Sequence, residues 1–187
     1  MKKTGILSKR YAKAIFDLAL EMNILDQVIR DMELVYDVYR ENKDFRLVLS
    51  APIVNMDKKT AILSDLFKER VHEISFRYFL IITRKKREAY LGEIAKQFIS
   101  LYKKFKNIIT VHLLTADKID DTIRQKVIRL LHEHTKGEIE LIEDVKKEII
   151  GGFILTFDDQ KYDDSIRTQL QLMRRTVSDC NLYVKEF

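Results

Sequence analysis

The sequence predicts an α+β chain: a bundle of about five or six helices over residues 1–105, then a small α/β domain over residues 106–187. Three observations predict it. The chain holds only 5 Gly and 1 Pro in 187 residues, where average usage of about 7% and 5% would give roughly 22. Apolar residues recur three and four apart as far as Phe105 and two apart beyond it. The charge balance changes at the same place. Residues 1–105 hold 21 Lys/Arg against 14 Asp/Glu, whereas residues 106–187 hold 13 against 15.

The helices are justified in order. Ser8 is placed as the N-cap of a first helix through Tyr11, Ile15, Leu18 and Met22. Ala12, Phe16 and Ala19 form a second stripe on that helix, so it contacts more than one neighbour. Leu25, Val28, Met32, Val35 and Tyr39 mark a second helix beginning near Asp26. A short third piece around Phe45–Leu49 is stopped by Pro52, which pushes Ala51 out of the helical region. Asp57 is the expected N-cap of a helix bearing Ile62, Leu63, Leu66 and Phe67. Between His72 and about Arg84, Phe76, Tyr78, Phe79, Leu80, Ile81 and Ile82 put six apolar residues within seven positions, the mark of a central helix. Leu91, Ile94, Phe98, Leu101 and Phe105 make the last helix of the bundle.

In the second part, Ile109, Val111 and Leu113 predict a strand. Asp117 or Asp120 opens a helix carrying Ile123, Val127, Leu130 and Leu131. Glu138–Val145 alternates again, and Ile149–Phe157 is an apolar run broken by Gly151-Gly152. Asp158-Asp159 marks a turn before a brief Lys161-Tyr162 strand. A final helix carries Ile166, Leu170, Met173, Val177 and Cys180 at three- and four-residue spacing. Strands interleaved with two helices make a small α+β domain.

Composition and motif search exclude several functions. No apolar run approaches the 18 or so residues that span a bilayer, and the basic N-terminus lacks the apolar segment of a signal peptide. The single cysteine, Cys180, excludes an internal disulfide and is read as core filler on the last helix. Gly151-Gly152 is not followed by the Gly-Lys-Ser/Thr of a phosphate loop and is read as a bulge or close backbone approach. His72-Glu73 and His132-Glu133-His134 begin like metalloprotease helices, but neither has the second His at i+4. The pairs Asp158-Asp159 and Asp163-Asp164 lack the alternating ligands of a calcium loop. They are read as a turn and as carboxylates at the positive end of the final helix. Arg84-Lys85-Lys86-Arg87 is read as a solvated helix terminus that complements the macrodipole. No catalytic, cofactor-binding or metal-binding residue is assigned.

Two stretches carry a resemblance. Arg10-Tyr11-Ala12-Lys13-Ala14-Ile15-Phe16-Asp17-Leu18-Ala19 resembles the opening helix of the delta subunit of F-type ATP synthases, the oligomycin sensitivity-conferring protein of mitochondria. Ile149-Ile150-Gly151-Gly152-Phe153-Ile154-Leu155, followed by Tyr162-Asp163-Asp164-Ser165-Ile166-Arg167-Thr168-Gln169-Leu170, is similar to that family's C-terminal signature. The resemblance covers essentially the whole chain. It departs at Asp164, where the family usually has Gly, and at Lys85-Lys86-Arg87, where the family has Asn-Gly-Arg.

The resemblance implies an N-terminal six-helix domain, a smaller α/β domain and no catalytic activity. It implies a stator subunit, one per complex, joining the catalytic head of a proton-translocating synthase to its peripheral stalk. The N-terminal helix of an alpha subunit would lie in a groove between the first and fifth helices, with Tyr11, Ala14, Ile15, Leu18, Phe79, Ile82 and Thr83 among the groove residues. The C-terminal helices of the b subunits would meet residues 106–187, on the Ile149–Phe157 sheet and the last helix. Gly151, Gly152, Asp163, Ser165, Arg167 and Leu170 belong to the signature and are expected to determine the fold. The implied location is the cytoplasmic face of a bacterial plasma membrane, held there by partners, with no direct lipid anchor and no nucleic acid. A competing reading, a basic helical nucleic-acid-binding protein, rests on the charge of residues 1–105 and on Arg84–Arg87. A third, an enzyme, rests only on the carboxylates of Asp158–Asp164.

Overall fold

The first helix, α1, runs Lys2–Glu21 in the computed structural model, which describes residues 2–117, 124–125, 128, 137–157 and 160–180. Ser8 therefore lies inside α1 instead of capping it, and it is completely buried. Ser8, Ala12, Ile15 and Ala19 recur at helical spacing and all face the interior. Packing of that face carries the helix through a residue that would otherwise favour its end. The helix closes at Asn23, whose φ of 56° lets the Ile24 N–H reach the Ala19 carbonyl at 3.0 Å.

Five more helices follow: α2 (Leu25–Glu41), α3 (Lys43–Ser50), α4 (Met56–Phe67), α5 (Glu73–Arg84) and α6 (Leu91–Phe105). Asn42 separates α2 from α3, and its side chain accepts the Phe45 N–H at 3.0 Å. Arg46 answers from α3 by donating to the Tyr39 carbonyl at the end of α2. Ala51 is extended (ψ 119°), as its position before proline demands. The cap position of α4 is Asn55, not Asp57, which instead sits in the first turn, where its charge suits the macrodipole. At the start of α5, His72 Nδ1 accepts the Ile74 N–H, and the buried Asp31 of α2 accepts the His72 N–H.

The bundle is closed by α6, which packs along both α1 and α2. Phe16 of α1 meets Phe98 of α6 with ring centroids 5.7 Å apart. Phe45, Phe67 and Phe79 then run edge to face from α3 through α4 to α5 at 6.0 Å spacing. These belong to one core, and residues Met1–Phe105 form one unit of the chain.

Lys106–Phe187 form the other. Its four-stranded sheet has the order β2-β1-β3-β4, with β1 Ile108–Thr115, β2 Glu138–Val145, β3 Phe153–Phe157 and β4 Gln160–Asp163. β1 and β2 are parallel, and the other two pairings are antiparallel. Val111 is opposite Leu141 on one side and Phe157 on the other, so the alternating apolar residues of three strands share one face. That small core is built on Val111 and Leu113. The apolar run beginning at Ile149 does not all become strand. Lys147–Ile149 form a 3-10 turn, Ile150 takes φ 68°, and β3 starts only at Phe153.

The last helix, α7, spans Ile166–Cys180. Its expected apolar stripe is not core: Ile166, Leu170 and Met173 are all exposed. The side chains of Val177 and Cys180 lie outside the described residues. So do the Asp158-Asp159 turn and the helix expected to carry Ile123, Val127, Leu130 and Leu131, apart from helical residues 124, 125 and 128.

Candidate functional site

Among the described residues, no three His, Cys, Asp or Glu side chains come together to hold a metal ion. His72 is spent capping α5, and His132 and His134 lie outside the described residues. No helix among them is long and apolar enough to cross a membrane. The chemistry available is that of surfaces.

One such surface runs along α1 and α5. The Tyr78 hydroxyl of α5 donates to the Tyr11 carbonyl of α1 at 2.8 Å, which ties α5 to α1 at this point. On α1, Leu7, Tyr11, Ala14 and Leu18 share a face at four- and three-residue spacing, half-buried to exposed. On α5, Ile74, Tyr78 and Ile81 share the face that carries the linking hydroxyl, and Ile81 is 50% exposed. Burial pushes the Tyr78 phenol well above its ordinary pKa, and the neighbouring Tyr11 phenol adds to the effect.

The predicted groove residues divide between this surface and the core. Tyr11, Ala14 and Leu18 lie on it. Ile15, Phe79, Ile82 and Thr83 do not: each is at most 1% exposed. Thr83 donates to the Phe79 carbonyl within α5 and lines a separate cleft beside α3 and α4. Leu7, Ile74, Tyr78 and Ile81 also lie on these faces of α1 and α5, and sequence reasoning did not single them out. The signal was present as period: Ile74, Tyr78 and Ile81 repeat four and three apart, one step around the helix from Phe79 and Ile82.

In the second unit, the signature residues gather where β3, β4 and α7 meet. A Cβ on Gly152, which has φ +76°, would stand 2.2 Å from the Asp164 carbonyl oxygen. Close backbone approach is therefore the reason for this glycine. Gly151 faces the tip of Ile166. Asp163 Oδ1 accepts from both the N–H and the hydroxyl of Ser165, and Ser165 Oγ accepts the Thr168 N–H of α7. These bonds, the Ser165 hydroxyl first, hold the Asp163 carboxyl down at about 2. Asp163 thus helps to cap a helix. Arg167 and Leu170 are exposed, so the fold-determining role expected of them is not visible in packing.

A family model described as "ATP synthase delta (OSCP) subunit" matches residues 7–177. The chain belongs to the ATP synthase delta (OSCP) subunit family. Among its relatives, ATP synthase subunit delta of Cytophaga hutchinsonii is 34% identical over 96% of this chain and 97% of that one. The Parabacteroides distasonis subunit delta is 35% identical over 91% and 94%. A chain in the Toxoplasma gondii mitochondrial ATP synthase hexamer superposes with a TM-score of 0.70 at 26% identity, covering 91% of this chain and 97% of its own. As a delta (OSCP) chain, the protein is a non-catalytic subunit of the synthase.

Both departures from the delta (OSCP) pattern now have a structural setting. Lys86 stands where the family has the Gly of Asn-Gly-Arg, and it takes the left-handed φ of 56°. Around it, Arg87 N–H bonds to the Ile82 carbonyl and Lys86 N–H to the Thr83 carbonyl, a Schellman closure of α5. Glycine suits that position because no Cβ crowds it. Asp164, the other departure, has no positive φ. Its N–H bonds to the Phe153 carbonyl, and its side chain accepts from Gln169.

Proposed function

We propose that this delta (OSCP) subunit is the stator joint of a proton-translocating F-type ATP synthase. Residues 1–105 hold the catalytic head by the N-terminal helix of an alpha subunit, and residues 106–187 hold the C-terminal helices of the stalk b subunits. The observation that carries the first half is the exposed apolar face of α1 and α5, joined at Tyr78 and Tyr11. An amphipathic helix laid on such a face anchors through residues at i, i+3, i+4 and i+7. Tyr11, Ala14 and Leu18 would contact it directly; the buried Ile15, Phe79 and Ile82 would shape the surface from beneath, whereas Thr83 lines the cleft beside α3 and α4.

The second half rests on α7, where Ile166, Leu170 and Met173 present an apolar stripe to solvent. A stator must resist rotor torque, so both joints need affinity and stiffness and neither needs an active site. Attachment to the cytoplasmic face of a bacterial plasma membrane then comes through partners. Deletion with reconstitution tests the role. Membranes lacking the subunit should lose coupled ATP synthesis while the released head still hydrolyses ATP, and adding the protein back should restore coupling. Coupling that persists in its absence refutes the proposal.

A further inference from the structure

The loop joining α3 to α4 and the turn joining α5 to α6 border a cleft of about 420 Å³. Leu49, Pro52, Val54, Met56 and Ala89 give it apolar walls. Its polar part is unusual. Lys59, 4% exposed, donates to the Leu49 carbonyl at 2.9 Å and to Glu88 Oε1 at 2.7 Å. The other carboxylate oxygen, Glu88 Oε2, is buried and has no hydrogen-bond partner among the described residues. Glu88 is itself only 8% exposed and lines the cleft. A buried carboxylate oxygen left without a donor is costly. Lys59 already balances the charge of Glu88, so the group lacks a donor and not a counter-ion.

A second observation is independent of the first. Arg84, Lys85, Lys86 and Arg87 are all exposed, and Lys86 lines the same cleft. With Glu88 neutralised by Lys59, the charge at the cleft mouth is that of these exposed cations, which repel a basic segment and attract an acidic one. Beside the cleft, Ile53 stands 95% exposed at the tip of the α3–α4 loop, adding apolar surface.

We propose that this cleft docks an acidic peptide segment of a partner protein. The segment sets one apolar side chain against Leu49, Val54 and Met56. Its carboxylates face Arg84–Arg87. The site is distinct from the α1–α5 face and does not depend on what binds there.

The test uses the full chain, labelled with ¹⁵N and titrated with the acetylated, amidated peptide Glu-Leu-Ser-Glu-Leu-Glu. Saturable shifts are expected at Val54, Lys86, Glu88 and Ala89, and a peptide with Lys in place of Glu should produce none. Lys86→Glu lies on the exposed rim and leaves the fold intact; it should weaken binding about fivefold or more. Thermal unfolding of Lys86→Glu, run alongside, separates loss of binding from loss of folding. The proposal is overturned if the acidic peptide gives no saturable shift at the cleft, if Lys86→Glu binds it unchanged, or if the lysine peptide binds as well. It is also overturned if a short DNA duplex binds these residues more tightly than the acidic peptide, which would assign the basic run to nucleic acid.

Discussion

The Tyr78 hydroxyl donates to the main-chain carbonyl of Tyr11 at 2.8 Å, tying α5 to α1 across 67 residues of sequence. The carbonyl lies within a helix, so the tyrosine uses its second lone pair without opening the helical ladder. The bond requires a protonated phenol, and burial keeps it protonated beyond the ordinary range.

Tyr78→Phe should therefore lower stability by about 1 kcal/mol, the usual net worth of one such bond, read as a lower urea midpoint at unchanged slope. The pH dependence has a definite sign. A phenol whose folded pKa is raised contributes stability that is fully present below the unfolded pKa of about 10 and is lost as pH rises beyond it. The wild-type chain should lose stability above about pH 10 more steeply than Tyr78→Phe.

Ala14 is exposed on the same face, so Ala14→Asp should cost no more than about 0.7 kcal/mol, the difference in helix propensity. Titration calorimetry with an amphipathic alpha-subunit N-terminal peptide should nonetheless show at least about tenfold weaker binding, because a carboxylate is pressed into an apolar contact. Phe79→Ala should behave in the opposite way. It empties a fully buried site in the aromatic row and should cost about 3–5 kcal/mol of stability. Normal peptide binding by a folded Ala14→Asp protein would sink the docking face.

This contrast shows what the sequence could convey. Period revealed that α1 and α5 are apolar on more than one side, and it placed the change from helical to alternating spacing beyond Phe105, where β1 begins at Ile108. Period does not say which apolar side meets a partner. Phe79 and Ile81 are both large and apolar, yet one is fully buried and the other half exposed. The difference is set by where α4 lies against α5, with Phe67 over Phe79. Ser8 misled for a related reason, since burial of its face outweighed its capping preference. The last helix misled in the other direction: Ile166, Leu170 and Met173 have the spacing of core residues but face solvent. The Gly152 contact was legible because a glycine pair in an apolar run has few explanations, and close backbone approach is one of them.

Lys86→Gly should stabilise the chain by about 1 kcal/mol. The gain comes from relieving a left-handed residue that carries a Cβ, and the extra freedom of glycine in the unfolded chain offsets part of it. Thermal unfolding would show it as a small rise in midpoint. A fall would mean that the lysine side chain contributes more than its backbone costs.

Gly152→Ala should damage the second unit selectively. The new methyl would meet the Asp164 carbonyl at 2.2 Å on a residue with φ +76°, and overpacking of this kind costs about 1–3 kcal/mol before the dihedral strain is added. Amide exchange should accelerate in β3, β4 and α7, while the alpha-subunit peptide still binds residues 1–105 normally. Equal protection in mutant and wild type would remove the close-approach explanation.

Asp163 gives this unit an acid limit. Its carboxyl, held at about 2 chiefly by the Ser165 hydroxyl, has an ordinary value of about 3.9 in an unfolded chain. A depressed folded pKa contributes stability that is present above the unfolded value and is lost as pH falls towards the folded one. Between about pH 4 and about pH 2, therefore, the start of α7 should loosen as the proton displaces the Ser165 bonds. Asp163→Asn keeps an acceptor oxygen but carries no charge to lose. In that variant the amides of Ser165 and Thr168 should keep constant chemical shifts through the window, whereas in the wild type they should follow the Asp163 titration. Wild-type amides that stay constant down to about pH 2 would show that the carboxylate does not hold the cap.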